Sequence, residues 1–268
     1  MPLTEPLRSR RTPSMAEAQF RFHDALNDFL APERQEVAFP HRFDRRASIK
    51  DMVEALGVPH PEIGRLVVNG LPVDFGYIVR DGDRIEAHPI TDSANIPGGA
   101  ADSRTRFALD ANLGALARYL RLCGFDAHYR NDIDDGELAA LATTDERVLL
   151  TRDRDVLKRR IVTHGYFVRA DDPRDQLREV VQRFDLAGAA RPFTRCSRCN
   201  AVLEDVDKAA IAHRLKPLTR RYYDTFRRCT GCDRIYWRGT HVQGIEALVG
   251  SVHCHDDADD GETAWEST

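Results

Sequence analysis

Hydrophobic and polar residues between positions 105 and 186 follow two kinds of pattern in turn. Two short apolar runs, 107–109 and 148–150, predict buried strands. A helix between them is predicted by apolar residues spaced i, i+3, i+4 and i+7: Leu113, Leu116, Ala117 and Leu120. Gly124 then predicts the end of this helix, because glycine readily adopts the left-handed conformation that closes a helix.

The alternation of strands and helices continues along this segment. Further strands are predicted at 125–129 and 166–169, and further helices at 137–142 and 156–160. A last helix is predicted to begin at Asp172-Pro173, where a capping residue precedes a proline in the first helical position. This order predicts a parallel sheet with right-handed crossovers, whose ligands bind beyond the carboxyl ends of the strands.

Four aspartates fall at these strand ends or close to them. Asp110 follows the first strand, and Asp153 and Asp155 follow the run at 148–150. Asp135 lies near the start of the second helix. Gathered carboxylates repel one another, and a bound Mg²⁺ or Mn²⁺ removes that penalty through the oxygen ligands it prefers. The four residues are therefore predicted to hold catalytic Mg or Mn.

A simpler interpretation competes with this metal site. Aspartate often ends a strand or caps a helix without binding anything. For Asp171, after the strand at 166–169, a role as a loop or cap residue is favoured over metal ligation.

Residues 16–92 form a separate pattern of strands around one helix. Strands are predicted at Phe20 and Phe22, at 37–43, at 65–68 and at 84–88, and Ser48 is predicted to cap the helix. Asn69-Gly70 is a strong hairpin signal. The segment resembles a β-grasp, the ubiquitin-like fold of small sulfur-carrier proteins. Those carriers need a free C-terminal Gly-Gly, whereas Gly98-Gly99 here is followed by more chain, so we favour a module that docks a protein partner.

The remaining segments are assigned from composition. Residues 1–15 carry basic residues without an apolar core and are expected to be a disordered leader, not a secretory signal. Residues 93–104 are rich in Gly, Ala and Ser and are expected to be a flexible linker, and 249–268 an acidic, disordered tail. No apolar run approaches the ~18 residues of a membrane span, so a cytoplasmic protein is expected.

Two CxxC pairs stand in the C-terminal part, Cys196/Cys199 and Cys229/Cys232. In a reducing compartment such pairs favour metal ligation over disulfides, and four thiolates make a closed tetrahedral zinc site. Iron–sulfur and redox-dithiol sites are the alternatives. A closed site leaves no position for substrate, so the zinc is expected to be structural and to contribute on the order of 10 kcal/mol to folding. The long interval between the pairs is expected to form its own loop or helix.

The ribbon around these cysteines, residues 191–248, is basic in a chain whose net charge is −4. Residues 191–241 hold twelve Lys or Arg and five Asp or Glu, interleaved with aromatic residues. This composition is typical of binding to single-stranded nucleic acid, although the aromatics could instead fill a small core. The predicted nucleic-acid contacts in the ribbon are Arg220, Arg221, Arg227 and Arg228. Arg118 and Arg121, on the polar side of the first helix, are predicted to hold phosphates, with a solvated helix face as the alternative.

The run LDANLGALARYLRLCGFDAHYRNDIDDGELAALATTDERVLLTRDRDVL carries a family resemblance. It is similar to the PIN-like ribonucleases named after the C-terminal domain of the nematode Mut exonuclease (the Mut-seven-C RNase domain). The shared features are an acid, a Gly-x-Leu-Ala-Arg helix and Leu-Leu-Thr-Arg-Asp. Ala111-Asn112 departs from the family pattern and affects packing beside Asp110, not the acid.

The resemblance implies an α/β fold: a PIN-like parallel sheet with helices at 105–188, preceded by the ubiquitin-like domain and followed by the zinc ribbon. It implies a metal-dependent ribonuclease in which Asp110, Asp135, Asp153 and Asp155 form the acidic set. A non-catalytic RNA-binding adaptor is the alternative. A Toprim-type phosphotransfer domain is a third interpretation, since Asp153-Arg154-Asp155 is a DxD at a strand end, but Toprim sites place a glutamate where this chain has Asp110.

Overall fold

The computed structural model describes residues 15–90 and 105–237. The chain forms two compact units, Met1–Thr91 and Asp92–Thr268. In the described ranges, no helix combines the length and apolar character needed to cross a membrane. The predictions for the leader, the linker, the acidic tail and the last residues of the ribbon lie outside the described residues.

The first unit is a five-stranded sheet packed against one helix. Its strands are β1 (Ala16–Phe22), β2 (Phe39–Phe43), β3 (Ile63–Val68), β4 (Leu71–Val73) and β5 (Arg84–Pro89), and its helix is α1 (Ile49–Ala55). The sheet order is β2-β1-β5-β3-β4, with β1 and β5 parallel at the centre. This is the predicted ubiquitin-like arrangement with one strand more, because Asn69-Gly70, both at positive φ, turns the chain from β3 into the short strand β4. Ser48 caps α1 through a capping box with Asp51.

The second unit contains the predicted parallel sheet. Its strands are β6 (Arg106–Leu109), β7 (Asp126–Tyr129), β8 (Val148–Thr151) and β9 (Gly165–Phe167), and its helices are α2 (Gly114–Leu122), α3 (Asp135–Thr144), α4 (Arg154–Leu157) and α5 (Pro173–Arg183). The order is β7-β6-β8-β9, and every neighbouring pair is parallel. The chain therefore reverses its direction of winding between β6 and β8, which is where such sheets open a crevice at their carboxyl edge.

Alternate residues of the strands enter two separate cores. Phe107 and Leu109 pack with the apolar faces of α2 and α5 on one side of the sheet. Ala108 and Leu149 pack with residues of α3 and α4 on the other. The helices thus cover both faces, which explains why these strands are continuous apolar runs and not alternating ones.

The zinc ribbon follows as a three-stranded antiparallel sheet in the order β10-β11-β12. Its strands are β10 (Leu203–Val206), β11 (Phe226–Cys229) and β12 (Ile235–Trp237). Two short helices, α6 (Lys208–Ile211) and α7 (Pro217–Tyr222), occupy the long interval between the CxxC pairs. The expectation that this interval forms its own structure is confirmed.

Candidate active site, zinc centre and basic cleft

Asp110 and Asp153 follow the neighbouring strands β6 and β8 at the carboxyl edge of the parallel sheet. Asp110 is buried, and its Oδ2 accepts hydrogen bonds from the Thr151 hydroxyl and, at 3.0 Å, from the Arg152 amide. Its Oδ1 accepts from the Asn112 amide at 2.7 Å. The Thr151 oxygen in turn accepts from the Asp153 amide at 2.9 Å. The buried threonine therefore links the two strand ends and fixes the position of the Asp110 carboxylate.

The other two predicted acids are exposed and lie on helix starts. Asp155 is in the first turn of α4, after its cap Asp153, and pairs with Lys158 at 3.3 Å. Asp135 is the first residue of α3, where its Oδ2 lies 3.7 Å from Arg159. Hydrogen bonds from the backbone amides of Glu137 and Gly136 lower the pKa of the neighbouring Asp134, which is the actual cap of α3.

The four aspartates do not form one tight cluster. Within residues 15–90 and 105–237, two groups of three or more His, Cys, Asp or Glu bring their ligand atoms within 4.8 Å of one another. One is the set of four cysteines, the other is His23 with Glu86 and His88, and neither includes an aspartate of the sheet edge. Convergence of the four acids on a metal therefore stays a prediction.

Arg152 and Asp171 form an ion pair beside this edge. The Arg152 guanidinium lies 2.6 Å from Asp171 Oδ1 and donates to the Ala170 carbonyl at 2.9 Å. The pair ties the loop after β8 to the loop after β9, in line with the favoured interpretation of Asp171 as a loop residue.

The four cysteines of the ribbon converge as predicted. Cys196 and Cys232 have their sulfurs 3.5 Å apart, and Cys199 and Cys229 have theirs 3.3 Å apart. Four sulfurs around a zinc ion at about 2.3 Å stand about 3.8 Å from one another, so the cluster is close to the geometry that zinc needs. Backbone amides of both CxxC turns point at the first sulfur of each pair. This all-sulfur donor set can bind zinc.

The protonation of these thiols is uneven. Burial raises the pKa of the Cys199 thiol to about 12. Burial opposes ionisation of Cys196 too, but hydrogen bonds from the Tyr236 hydroxyl and from backbone amides outweigh it and lower its pKa to about 6. Burial and the bond to Cys196 raise the pKa of Tyr236 to about 12, so the phenol remains a donor at 3.0 Å from the sulfur.

Arg121 does not lie on a solvated helix face, and its predicted placement is wrong. It is 5% exposed, because the ribbon covers this side of α2. Its guanidinium donates to the Ala127 carbonyl at 2.8 Å and to the Arg198 carbonyl of the first CxxC turn at 2.9 Å. Arg121 therefore joins helix, sheet and ribbon instead of offering its charge to a ligand.

A second contact docks the ribbon on the same end of α2. Gly124 has a φ of +95° and ends the helix as predicted, and a Cβ here would meet the Arg191 carbonyl oxygen at 2.1 Å. The Arg191 amide donates to the Cys123 carbonyl at 2.8 Å. Nearby, Asn200 bonds both the Ala127 amide and the Asp126 carboxylate. The ribbon and the parallel sheet are thus joined by backbone as well as side chains.

A basic cleft of about 710 Å³ opens between α2 and the ribbon. It is lined by Arg118, Ser197, Arg198, Arg214, Leu215, Lys216, Thr219, Arg234, Ile235, Tyr236 and Trp237. Five of these residues are cations and none is an acid. Arg214 pairs with Asp233 at 2.9 Å, whereas the other four cations have no ion pair with any described residue.

The other five arginines predicted to contact RNA divide into three groups. Arg118 lines the cleft. Arg220, Arg221 and Arg228 are exposed outside its lining. Arg227 is half-buried, bound to Asp205 at 2.9 Å and to the Phe193 carbonyl at 2.6 Å, so it holds the ribbon together.

Sequence patterns did not single out every residue that the structure brings into these sites. Thr151 ends an apolar strand, and the local pattern gives it no functional role. Its place in the motif Leu-Leu-Thr-Arg-Asp was the signal that could have assigned it to the site. Arg198 lies inside the first CxxC pair, and Arg234 lies two residues after the second. Their closeness to the cysteines in the sequence is the signal that could have placed these cations around a zinc site.

Comparison with known protein families gives two matches. The family model described as Mut7-C RNAse domain matches residues 105–249, more than half of the chain. The model described as Mut7-C ubiquitin matches residues 15–95. No curated protein and no solved structure gives a significant match. The two matches confirm the predicted order of a ubiquitin-like domain followed by a nuclease-like domain.

Proposed function

The chain belongs to the Mut7-C RNAse domain family, and we propose that it is a metal-dependent ribonuclease acting on single-stranded RNA. The observation that carries the proposal is the link from the Asp110 carboxylate through Thr151 to the Asp153 backbone amide, at the point where the parallel sheet changes its direction of winding. A carboxylate held by three hydrogen bonds is positioned before any ligand arrives, which is what a catalytic site requires.

The residues of this edge suit a hard divalent cation. Asp110, Asp135, Asp153 and Asp155 offer carboxylate oxygens, the ligands that Mg²⁺ and Mn²⁺ prefer. A bound cation of this kind supplies an activated water and stabilises the leaving oxygen of a phosphodiester. Asp110 is the fixed, buried ligand in this scheme, and Asp153 is the exposed one beside it. Ligation by Asp155 and Asp135 requires that their ion pairs with Lys158 and Arg159 open.

The basic cleft supports RNA as the substrate. Cations without acidic partners bind phosphates, and Trp237, which is 37% exposed, offers a ring on which a base can stack. We assign the RNA contacts to the cleft cations Arg118, Arg198, Lys216 and Arg234, and treat Arg121 and Arg227 as structural. The ubiquitin-like domain is proposed to dock a protein partner.

The test of catalysis is the substitution Asp153→Asn, which keeps the shape of the side chain and removes its charge. We expect Mg²⁺- or Mn²⁺-dependent cleavage of a labelled single-stranded RNA to fall at least about 10²-fold, since even weaker changes around a metal site cost 10–100-fold. Asp171→Asn is the matched control, an exposed acid at the next strand end, and should cleave like the wild type. A DNA strand of the same sequence tests the choice of RNA.

The competing function is an RNA-binding adaptor without catalysis, favoured by the acids' lack of a tight cluster. The two functions separate in the same assay. An adaptor binds the labelled RNA with no cleavage in either metal, and Asp153→Asn then changes nothing.

The test of the cleft compares two triple variants. Arg118→Ala/Arg198→Ala/Arg234→Ala removes cleft cations, and Arg220→Ala/Arg221→Ala/Arg228→Ala removes exposed arginines outside the lining. We expect the first variant to lose about 2 units of slope in the plot of log affinity against log salt, at about 0.7 per lost phosphate contact to a single strand. A larger loss in the second variant would place RNA outside the cleft.

A further inference from the structure

Two histidines and a glutamate lie together on the sheet of the ubiquitin-like domain. β1 and β5 are parallel, with Phe22 opposite Ala87, so His23 and His88 are neighbours one position further along. The His23 amide donates to the Ala87 carbonyl at 3.0 Å, which continues the pairing past the end of β1. Glu86 lies two residues before His88 on the same face, because the intervening Ala87 is buried.

The three side chains bring their ligand atoms close together. The two imidazole rings are stacked, with centroids 4.1 Å apart and planes within 7°. Glu86 Oε2 lies 3.2 Å from His23 Nε2 and 3.8 Å from His88 Nε2. One ligand atom from each residue lies within 4.8 Å of the others. Ligands at about 2.0–2.2 Å around one zinc ion stand about 3.3 Å apart, so the ligand atoms are close to the required spacing. Binding also requires that the two imidazole rings turn out of their parallel stack, so that their in-plane lone pairs meet at one ion.

We propose that His23, Glu86 and His88 form a zinc site on the ubiquitin-like domain, separate from the four cysteines. Two imidazoles with one carboxylate are a donor set that suits Zn²⁺. Three protein ligands leave a coordination position open to water or to a side chain of another molecule. All three side chains are partly exposed, so the ion can enter without the domain opening.

Neighbouring charges set the expected strength of this site. Arg21 is the strand partner of Glu86 and Arg65 is the strand partner of His88, and both positive charges weaken cation binding. The negative charge of Asp24, next to His23, strengthens cation binding. We therefore expect zinc here to exchange more readily than at the four-cysteine cluster. The two sites lie in different units, so this proposal does not depend on the proposed ribonuclease activity.

The experiment counts zinc in the full-length chain, dialysed against increasing free zinc and measured by elemental analysis. The wild type should take up one zinc more per chain than His23→Gln/His88→Gln. Glu86→Gln keeps both histidines and should raise the free zinc needed for that additional ion at least about tenfold. These changes are on the exposed face, and circular dichroism checks that the domain remains folded.

Two controls make the count specific. His41→Gln changes another histidine of the same domain and should leave the zinc content at the wild-type value. His253→Gln/His255→Gln removes two histidines that lie two residues apart in the sequence, and it should also leave the zinc content unchanged. Equal zinc in the wild type and in His23→Gln/His88→Gln overturns the proposal, as does loss of the additional zinc from the His253/His255 variant alone.

Discussion

Arg121 gives the sharpest prediction about stability, because a buried guanidinium joins the nuclease-like domain to the ribbon. Replacement by alanine removes the bonds to the Ala127 and Arg198 carbonyls, at 2.8 and 2.9 Å, and leaves both carbonyls without their charged donor. A hydrogen bond to a charged group contributes about 1.5–3 kcal/mol. The two together predict that Arg121→Ala lowers the free energy of unfolding by at least about 3 kcal/mol.

The assay is urea unfolding of the full chain with zinc present, followed by tryptophan fluorescence. Both tryptophans, Trp237 and Trp265, lie in the second unit, so the signal does not report the ubiquitin-like domain directly. With a denaturant slope of about 2 kcal/mol per molar, the expected loss moves the midpoint down by about 1.5 M. Arg121→Lys should lose most of the same stability, because one ammonium group cannot replace a fork that donates to both sides.

Arg118→Ala is the matched control, since it removes an exposed arginine one turn away on the same helix. We expect it to change the free energy of unfolding by no more than about 0.5 kcal/mol. If Arg121→Ala and Arg118→Ala unfold at the same urea concentration, the ribbon is not held on α2 by this side chain and the reasoning is refuted.

Two further predictions concern the same interface. Gly124→Ala should destabilise the second unit in the same urea assay, because the helix end needs positive φ and the added Cβ meets the Arg191 carbonyl, whereas Gly188→Ala, with open space at its Cβ, should not. Burial raises the pKa of Asp126, but hydrogen bonds from Arg147 and Asn200 outweigh it and lower the pKa below its ordinary value. The Asp126 carboxylate therefore stabilises the fold at pH values above its unfolded-state pKa, and this stabilisation is lost as the pH falls through the lower folded-state pKa. Asp126→Asn should remove this loss of stability at acid pH. A pH profile of the urea midpoint identical to that of the wild type would contradict the prediction.

The sequence predicts those parts of the fold that rest on local patterns. The apolar runs of β6 and β8, the helical face of α2, its end at Gly124 and the Asn69-Gly70 hairpin each contain their signal within a few residues. The four cysteines are predicted for the same reason, since a CxxC turn brings two sulfurs together whatever surrounds it.

The misplaced and missed residues all depend on partners far along the chain. Arg121 has the spacing of a polar helix face, and only the ribbon, more than seventy residues later, makes that face an interior one. Arg227 looks like one more surface cation until β11 pairs with β10 and brings Asp205 beside it. The pair Asp134-Asp135 shows a limit of another kind, because either residue can cap the helix and only backbone geometry decides between them.

The junction at Gly124 has a consequence for how this protein could have been assembled in evolution. The parallel sheet and the ribbon look like two interchangeable modules in the sequence, with a boundary between residues 188 and 191. Yet the glycine that ends α2 leaves room for the Arg191 carbonyl, and Arg121 bonds to the turn that carries Cys196 and Cys199. A ribbon from another protein would not match the end of α2, which accommodates the Arg191 carbonyl of this ribbon. The two parts are therefore expected to be inherited and exchanged as a single piece.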